Sequence, residues 1–475
     1  MRMRWLALAA IGLVVSAVPM ERDSTRAEAA ASDMTFGAPV QVSADDTQSA
    51  AEPSIRTALD GTIYIVAPTG LGNGARDGTE SEGGDVIWRS EDDGKTWQFL
   101  GSLDENVGGG DADIAPDAEG ILWGSGLTLA NTTASISTNK GDSFNVNPVG
   151  TLSTVVDRQW IETYKAEPFA FMTTGEIGTR AILLSRLERL PGDIPAVSDT
   201  IRIQHEQGYQ WPGEIAVDES NDFVYVAYNT PGGDNANSDD IMVARTDLNL
   251  GGLAQFKVTT TVGDSFDSFV GVDVDRAGNV YAVWTERRKT NDGGKKKGIT
   301  GSFIAVSKDS GETWSQPIRL NIRPRSTAFP WVVAGDEGRV AVAYYGTRRA
   351  GPSPEDVAVE GRRVPKWRVF VSYSLDATKG ANFTEMPAMG LKDYLHAGNV
   401  CTSGTGCAAG TRDLLDFFQL DLTPCGKIVI TYTYNARDVV NAAGERTSNL
   451  PELVYYVDQK SGPSFYKQPL NPEAC

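Results

Sequence analysis

Two eight-residue stretches, Ser90-Glu-Asp92-Asp-Gly94-Lys-Thr96-Trp97 and Ser307-Lys-Asp309-Ser-Gly311-Glu-Thr313-Trp314, spell the same turn twice in one chain. The chemistry of the pattern is that of a hairpin. Ser90 and Asp92 can accept from backbone N–H groups inside the turn, Gly94 can take a positive φ, and Trp97 opens the returning strand with a large apolar anchor. A third copy, Ser137-Thr-Asn139-Lys-Gly141-Asp-Ser143-Phe144, keeps each chemical type. Looser copies run from Ser374 and Asp376 to Gly380 and Phe383, and from Asp458 through Gly462 to Phe465. Turn geometry accounts for every residue of the signature, so Asp92 and Asp309 are read as structural.

A second repeat precedes each turn: an apolar strand, an acidic turn with Gly, then a strand centred on an aromatic or apolar residue. It runs from Pro53-Ser-Ile55 to Tyr64, from Asp113-Ile114 to Trp123, from Glu214-Ile215 to Tyr225 and from Val272-Asp-Val274 to Tyr281. Further members run from Val332-Val333 to Val340 and from Leu420-Asp421 to Ile428, and Trp160-Ile161 to Phe169-Ala-Phe171 fills the remaining gap. Units of about 40–60 residues with four short strands each are propeller blades. The chain is therefore expected to be an all-β propeller with seven blades, six being the alternative if the 155–200 unit is not a blade. In the first unit the strands are placed near Ser54-Ile55, Ile63 to Val66, Val86 to Arg89 and Trp97 to Leu100, with the signature hairpin between the third and fourth. The segment around Phe36 to Val42 reads as an isolated outer strand. It is expected to close the ring (36–43) within a single domain, 30–475.

The termini and composition narrow the setting. Arg2 and Arg4, an apolar run from Trp5 to Val18 and small residues around Ala27-Glu-Ala29 read as a secretory signal peptide, 1–29. The run is shorter than the ~20 residues a membrane-spanning helix needs. A secreted, soluble monomer is expected. The four cysteines, Cys401, Cys407, Cys425 and Cys475, then read as disulfides, with Cys401–Cys407 and Cys425–Cys475 favoured among three connectivities. Zinc is the alternative, but the chain has only two histidines, His205 and His396, and no C-x-x-C spacing. A formal net charge of −19 argues against nucleic acid or an anionic membrane as partner.

The hairpin signature resembles the Asp-box, or BNR repeat, of sialidase-like β-propellers. That resemblance implies a glycan or glycoprotein partner, and an exo-sialidase type of glycoside hydrolase as one activity. A non-catalytic glycan- or protein-binding propeller is the other. Sialidases hold a substrate carboxylate with three arginines and use an Asp acid, a Tyr nucleophile and a Glu that assists it. The family's first arginine belongs to an Arg-Ile-Pro motif on the first strand, where this chain has Glu52-Pro53-Ser54-Ile55-Arg56. On the resemblance, Asp77 or Asp113 is the acid, Tyr345 the nucleophile, Glu214 or Glu286 its base, and Arg158, Arg348 and Arg412 grip substrate.

In such a blade the signature hairpins and first-to-second turns share one face. The longer second-to-third loops share the other, and long loops on a rigid scaffold are where function is usually carried. The site is expected on that second face, around Asp157-Arg158-Gln159-Trp160, which offers an acid, a cation and a stacking surface. Lys295-Lys296-Lys297 reads as a solvated loop tip. No metal ligand set is expected, although Asp234, Asp239 and Asp240 could offer oxygens to Ca²⁺.

Overall fold

The structure is a computed structural model that describes residues 33–44, 50–69, 84–105, 108–128, 131–149, 156–165, 167–204, 208, 212–231, 238–263, 265, 269–292, 295–351, 357, 364–380, 382–390, 392–401, 414, 418–435 and 452–475. Seven antiparallel sheets follow one another along the chain, and together they form a seven-bladed β-propeller. The first blade is built from Ser54–Thr57, Ile63–Pro68, Asp85–Ser90 and Gln98–Ser102, paired in that order from the centre outwards. The 155–200 unit is a full blade: Val156–Tyr164, Phe169–Glu176, Ala181–Leu190 and Ile194–Ile203. In the last blade, Leu420–Leu422, Ile428–Tyr434 and Leu453–Ser461 come from the C-terminal region. Thr35–Phe36 and Val40–Gln41 pair with the outer edge of Leu453–Ser461. Among the described residues the one helical piece is the 3-10 turn Pro472–Ala474, and no helix is long and apolar enough to cross a membrane.

The hairpins explain why the blades form. Ser90 Oγ donates to Asp92 Oδ1 at 2.9 Å and accepts the Gly94 N–H at 3.0 Å. Asp92 Oδ1 accepts from the N–H of Thr96 at 2.9 Å, and Asp92 Oδ2 from the Thr96 hydroxyl at 2.7 Å. Gly94 has φ +74°, and a Cβ there would stand 2.1 Å from the Tyr456 ring of the last blade, so no other residue fits. The second copy repeats the network through Ser307, Asp309, Gly311 and Thr313, and the third through Ser137, Asn139, Gly141 and Ser143. Each lies between the third and fourth strands of its blade. One segment differs from expectation: Lys295, Lys296 and Lys297 are in strand, paired with Asp292, Asn291 and Thr290, because the two middle strands of the fifth blade run on into a long hairpin.

Apolar faces of neighbouring blades pack against each other, with Trp88, Trp123, Trp160, Trp284, Trp331 and Trp367 fully buried. The C-terminal segment crosses the hairpin face. Phe465 is buried, its carbonyl accepts the Asp336 N–H at 2.9 Å, and the Leu470 N–H donates to Pro424 O at 2.7 Å. Asn471 Nδ2 then donates to Leu59 O at 2.8 Å. The Cys425–Cys475 disulfide holds the last residue beside the seventh blade. Cys401 is also disulfide-bonded, and Cys407 lies outside the described residues.

Candidate functional site

Side chains alternate along a strand, so every second residue of an innermost strand faces the central channel. Pairing with the second strands sorts these residues into layers. The outermost layer, at the long-loop end, contains Glu52, Asp111, Arg158, Phe269 and Phe329. Below it lie Asp113, Trp160, Glu214, Gly271, Trp331 and Gln419. The layer nearest the hairpin face contains Arg56, Glu162, Ala216, Asp273, Val333 and Asp421.

The outermost layer is a closed plug. Arg158 is 6 % exposed, and its guanidinium lies 3.5 Å from Glu52 Oε1, 3.4 Å from Asp111 Oδ1 and 4.3 Å from the Phe269 ring centroid. It thus ties the first, second, third and fifth blades together. Trp160 packs on Trp331 at 4.9 Å and on Phe269 at 5.7 Å. Glu52, Arg158 and Phe329 all have φ near +55°, a left-handed conformation that costs about 1 kcal/mol or more for a residue with a Cβ. The bulge beside Arg158 turns its side chain into the channel.

The middle and lower layers carry a repeated stitch. Asp113 Oδ2 accepts the N–H of Ile161 at 3.1 Å, and Glu214 Oε2 accepts that of Val272 at 3.2 Å. Asp273 Oδ2 accepts the Ala334 N–H at 2.6 Å, and Asp421 Oδ2 that of Thr57, also at 2.6 Å. In each case a channel carboxylate fixes the innermost strand of the next blade. Gln419 Oε1 does the same for Ile55 and also accepts from Arg56 Nη1 at 2.6 Å.

The residues expected to form a hydrolase site are not gathered at one point. Asp113 and Glu214 hold stitches. Tyr345 is 0 % exposed, stacks on Phe418 at 4.0 Å, and its hydroxyl accepts the Thr433 N–H. Burial raises its pKa far above the ordinary tyrosine range. Glu286 is buried and accepts the Val262 N–H at 3.1 Å. Asp157, half-buried, caps the Arg158 N–H; Arg158 and Trp160 belong to the plug; Arg348 is exposed at the end of its strand. Asp77, Arg412 and Asp234 lie outside the described residues. Asp239 accepts from the N–H and hydroxyl of Ser265, while Asp240, on the opposite face of the strand, pairs with Lys257 at 3.2 Å. Among the described residues no three His, Cys, Asp or Glu side chains converge on a metal position.

A cavity of about 530 Å³ opens on the hairpin end of the channel. The small side chains of Ala216 and Val333 leave the space, and Tyr466 and Leu470 of the C-terminal segment border it. Arg56 reaches in from one side and shares its charge with Glu162 at 3.6 Å and Asp113 at 3.8 Å. Opposite, Glu214 and Asp273 stand on adjacent blades. Burial pushes Asp273 up to about 7, with the charges of Glu162 and Asp421 adding to the effect. Burial and then the charge of Asp273 raise Glu214 well above the usual carboxylate range. Tyr466 is pushed up to about 12 by burial, against the pull of nearby Lys165. Reading the sequence for loops missed Arg56, Asp273, Asp421 and Tyr466. A signal was present for the first three: a charged residue recurs at one position of the first strand in the first, third, fifth and seventh repeats, as Arg56, Glu162, Asp273 and Asp421.

No known protein family matches this chain, and no curated protein does. Among solved structures, a protein of unknown function from Dyadobacter fermentans superimposes with a TM-score of 0.48 at 14 % identity, over 90 % of this chain and 99 % of that one. An α-L-arabinofuranosidase from Fusarium graminearum gives 0.43 at 14 % identity, over 66 % and 93 %. The sialidase NanB from Streptococcus pneumoniae gives 0.41 at 13 % identity, over 89 % and 70 %. At these values the likeness carries no argument about activity.

Proposed function

We propose that this chain is an exported, non-catalytic binding propeller that takes a hydroxyl-rich glycan into the hairpin-side cavity of its channel. One observation carries the reading. The groups a glycosidase of the sialidase type would need free, Asp113, Glu214, Glu286 and Tyr345, are buried and hydrogen-bonded to the scaffold. A general acid must reach a leaving-group oxygen and a nucleophile an anomeric carbon. Groups engaged in holding backbone N–H donors within the protein are poorly placed for either.

The cavity suits a polyol. Its volume falls within the range of small-ligand sites, and its wall carries carboxylates, a few cations and the Tyr466 ring, which are partners for hydroxyls and for a sugar face. Export agrees with the Cys425–Cys475 disulfide, because such bonds persist in oxidising compartments.

The test is a fluorogenic glycoside screen run beside calorimetric titration of saccharides, on the full chain and on Ala216→Trp. The expected result is no turnover, saturable binding by the full chain, and loss of binding when the indole fills the cavity. Turnover of any substrate, abolished by Tyr345→Phe, would replace this reading with the hydrolase.

A further inference from the structure

The carboxylates of the cavity are unequally matched with cations. Among the described residues its wall holds eight, against Arg56, Lys165 and Arg276. Arg56 is already committed to Asp113, Glu162 and Gln419, and Arg276 pairs with Asp336 at 3.2 Å outside the wall. Lys165 is exposed at the lip.

Glu214 and Asp273 are left over. Neither makes an ion pair within 4.0 Å of a described residue. Glu214 is 6 % exposed, and while its Oε2 holds the Val272 N–H, its Oε1 accepts from no described residue and the side chain lines the cavity. Asp273, one blade on and one layer lower, uses its oxygens on the N–H groups of Val274 at 2.7 Å and Ala334 at 2.6 Å. Each carboxylate oxygen has a second lone pair, so both retain acceptor capacity. A buried carboxylate beside a half-buried one, neither in ion-pair contact with a cation, is an unfavourable arrangement that a bound positive charge relieves. Burial first, and then the charges of neighbouring carboxylates, raise the pKa values of both.

We infer that the cavity selects ligands bearing a protonated primary amine, of the amino-sugar class, with Glu214 and Asp273 receiving the ammonium. The inference rests on the reading of the cavity as a saccharide site and adds its specificity. An ammonium has three donors and no acceptor, which suits two carboxylates on one cavity wall that have acceptor capacity to spare. The same wall disfavours an anionic sugar, whose carboxylate would meet Glu214 and Asp273 while Arg56 is engaged. This inverts the preference of a sialic acid site, which needs uncommitted arginines.

The experiment is calorimetric titration of the full chain at pH 7 with D-glucosamine, D-glucose and D-glucuronate, repeated on Glu214→Gln and Asp273→Asn. Both amides keep an oxygen for the backbone stitch, and circular dichroism and thermal melting check that each variant folds. Glucosamine is expected to bind at least about tenfold more tightly than glucose, with glucuronate weaker than either. Each variant is expected to lose the amine preference while retaining affinity for glucose. Equal affinity for glucosamine and glucose, or a preference surviving in both variants, overturns the inference and leaves the saccharide site standing. Binding of none of the three sugars overturns both.

Discussion

Asp421 Oδ2 accepts the backbone N–H of Thr57 at 2.6 Å, and this bond joins the last blade to the first. The same stitch recurs between consecutive blades elsewhere, but here it spans the closure of the ring, which the outer pairing of Thr35–Phe36 and Val40–Gln41 with Leu453–Ser461 also secures. Asp421→Ala leaves the Thr57 N–H unpaired, and a charge-assisted bond of this kind contributes about 2 kcal/mol. The expected outcome is a loss of that size in urea unfolding, with Asp421→Asn recovering at least half. An alanine variant as stable as the parent would show that the outer strands alone close the ring.

Arg158 makes a second test of the channel. Replacing it with Met keeps the bulk but takes the guanidinium away from the buried carboxylates of Glu52 and Asp111. Breaking a buried ion pair from one side typically costs about 3–5 kcal/mol. The triple variant Arg158→Met, Glu52→Gln, Asp111→Asn is expected to regain most of that loss, because the charges that faced the guanidinium are gone with it. If Arg158→Met melts like the parent, the plug is not held by charge.

Much of this fold was legible because its signals are local. The hydrogen bonds of Ser90, Asp92, Gly94 and Thr96 span four residues at most, so the hairpin can be recognised without knowing what surrounds it. The count of seven followed from the second repeat, even where Trp160 to Phe171 carries it weakly. The cavity is another matter. Arg56, Glu162, Glu214, Asp273 and Asp421 come from five blades, and alternation along a strand tells which residues share a face but not which end of a channel they reach. The role of Arg158 was hidden for a related reason: its partners Glu52 and Asp111 lie on other blades. Small residues such as Ala216 and Val333 give no sign in the sequence that they leave a space.

The C-terminal segment offers a third prediction. Cys425 and Cys475 are separated by 50 residues, and a loop of that size restricts the unfolded chain by up to about 4 kcal/mol. Cys475→Ser is expected to lower stability by about 2–4 kcal/mol. Phe465 and the Leu470 and Asn471 bonds still anchor the segment, so the variant should remain folded and Tyr466 should stay at the cavity. Saccharide affinity unchanged within twofold, measured beside the melting curve, is the outcome that separates anchoring from gating. A large change in affinity would make the disulfide part of the binding device.

The last prediction concerns pH. Asp273 faces Glu214 on the fourth blade, Glu162 on the third, Asp421 on the seventh, Arg56 on the first and Tyr466 of the C-terminal segment, and burial among them raises its pKa from 3.8 to about 7. The folded state therefore holds a proton on Asp273 that the unfolded chain releases near its ordinary value. Where the folded state binds more protons, stability falls as pH rises. The stabilising contribution is complete below 3.8 and is lost progressively as pH climbs through about 7. Asp309 contributes in the opposite sense: the Thr313 hydrogen bonds lower its pKa, so its contribution is lost only on acidification below the ordinary carboxylate range. The two windows do not overlap. Thermal melts of the parent and of Asp273→Asn at a series of pH values from about 4 to 8 should show a shallower decline in the variant, and a variant more stable than the parent at the alkaline end. Parallel declines in the two proteins would mean that Asp273 titrates near its ordinary value in the folded state, its charge already compensated there, and would undercut the amine preference.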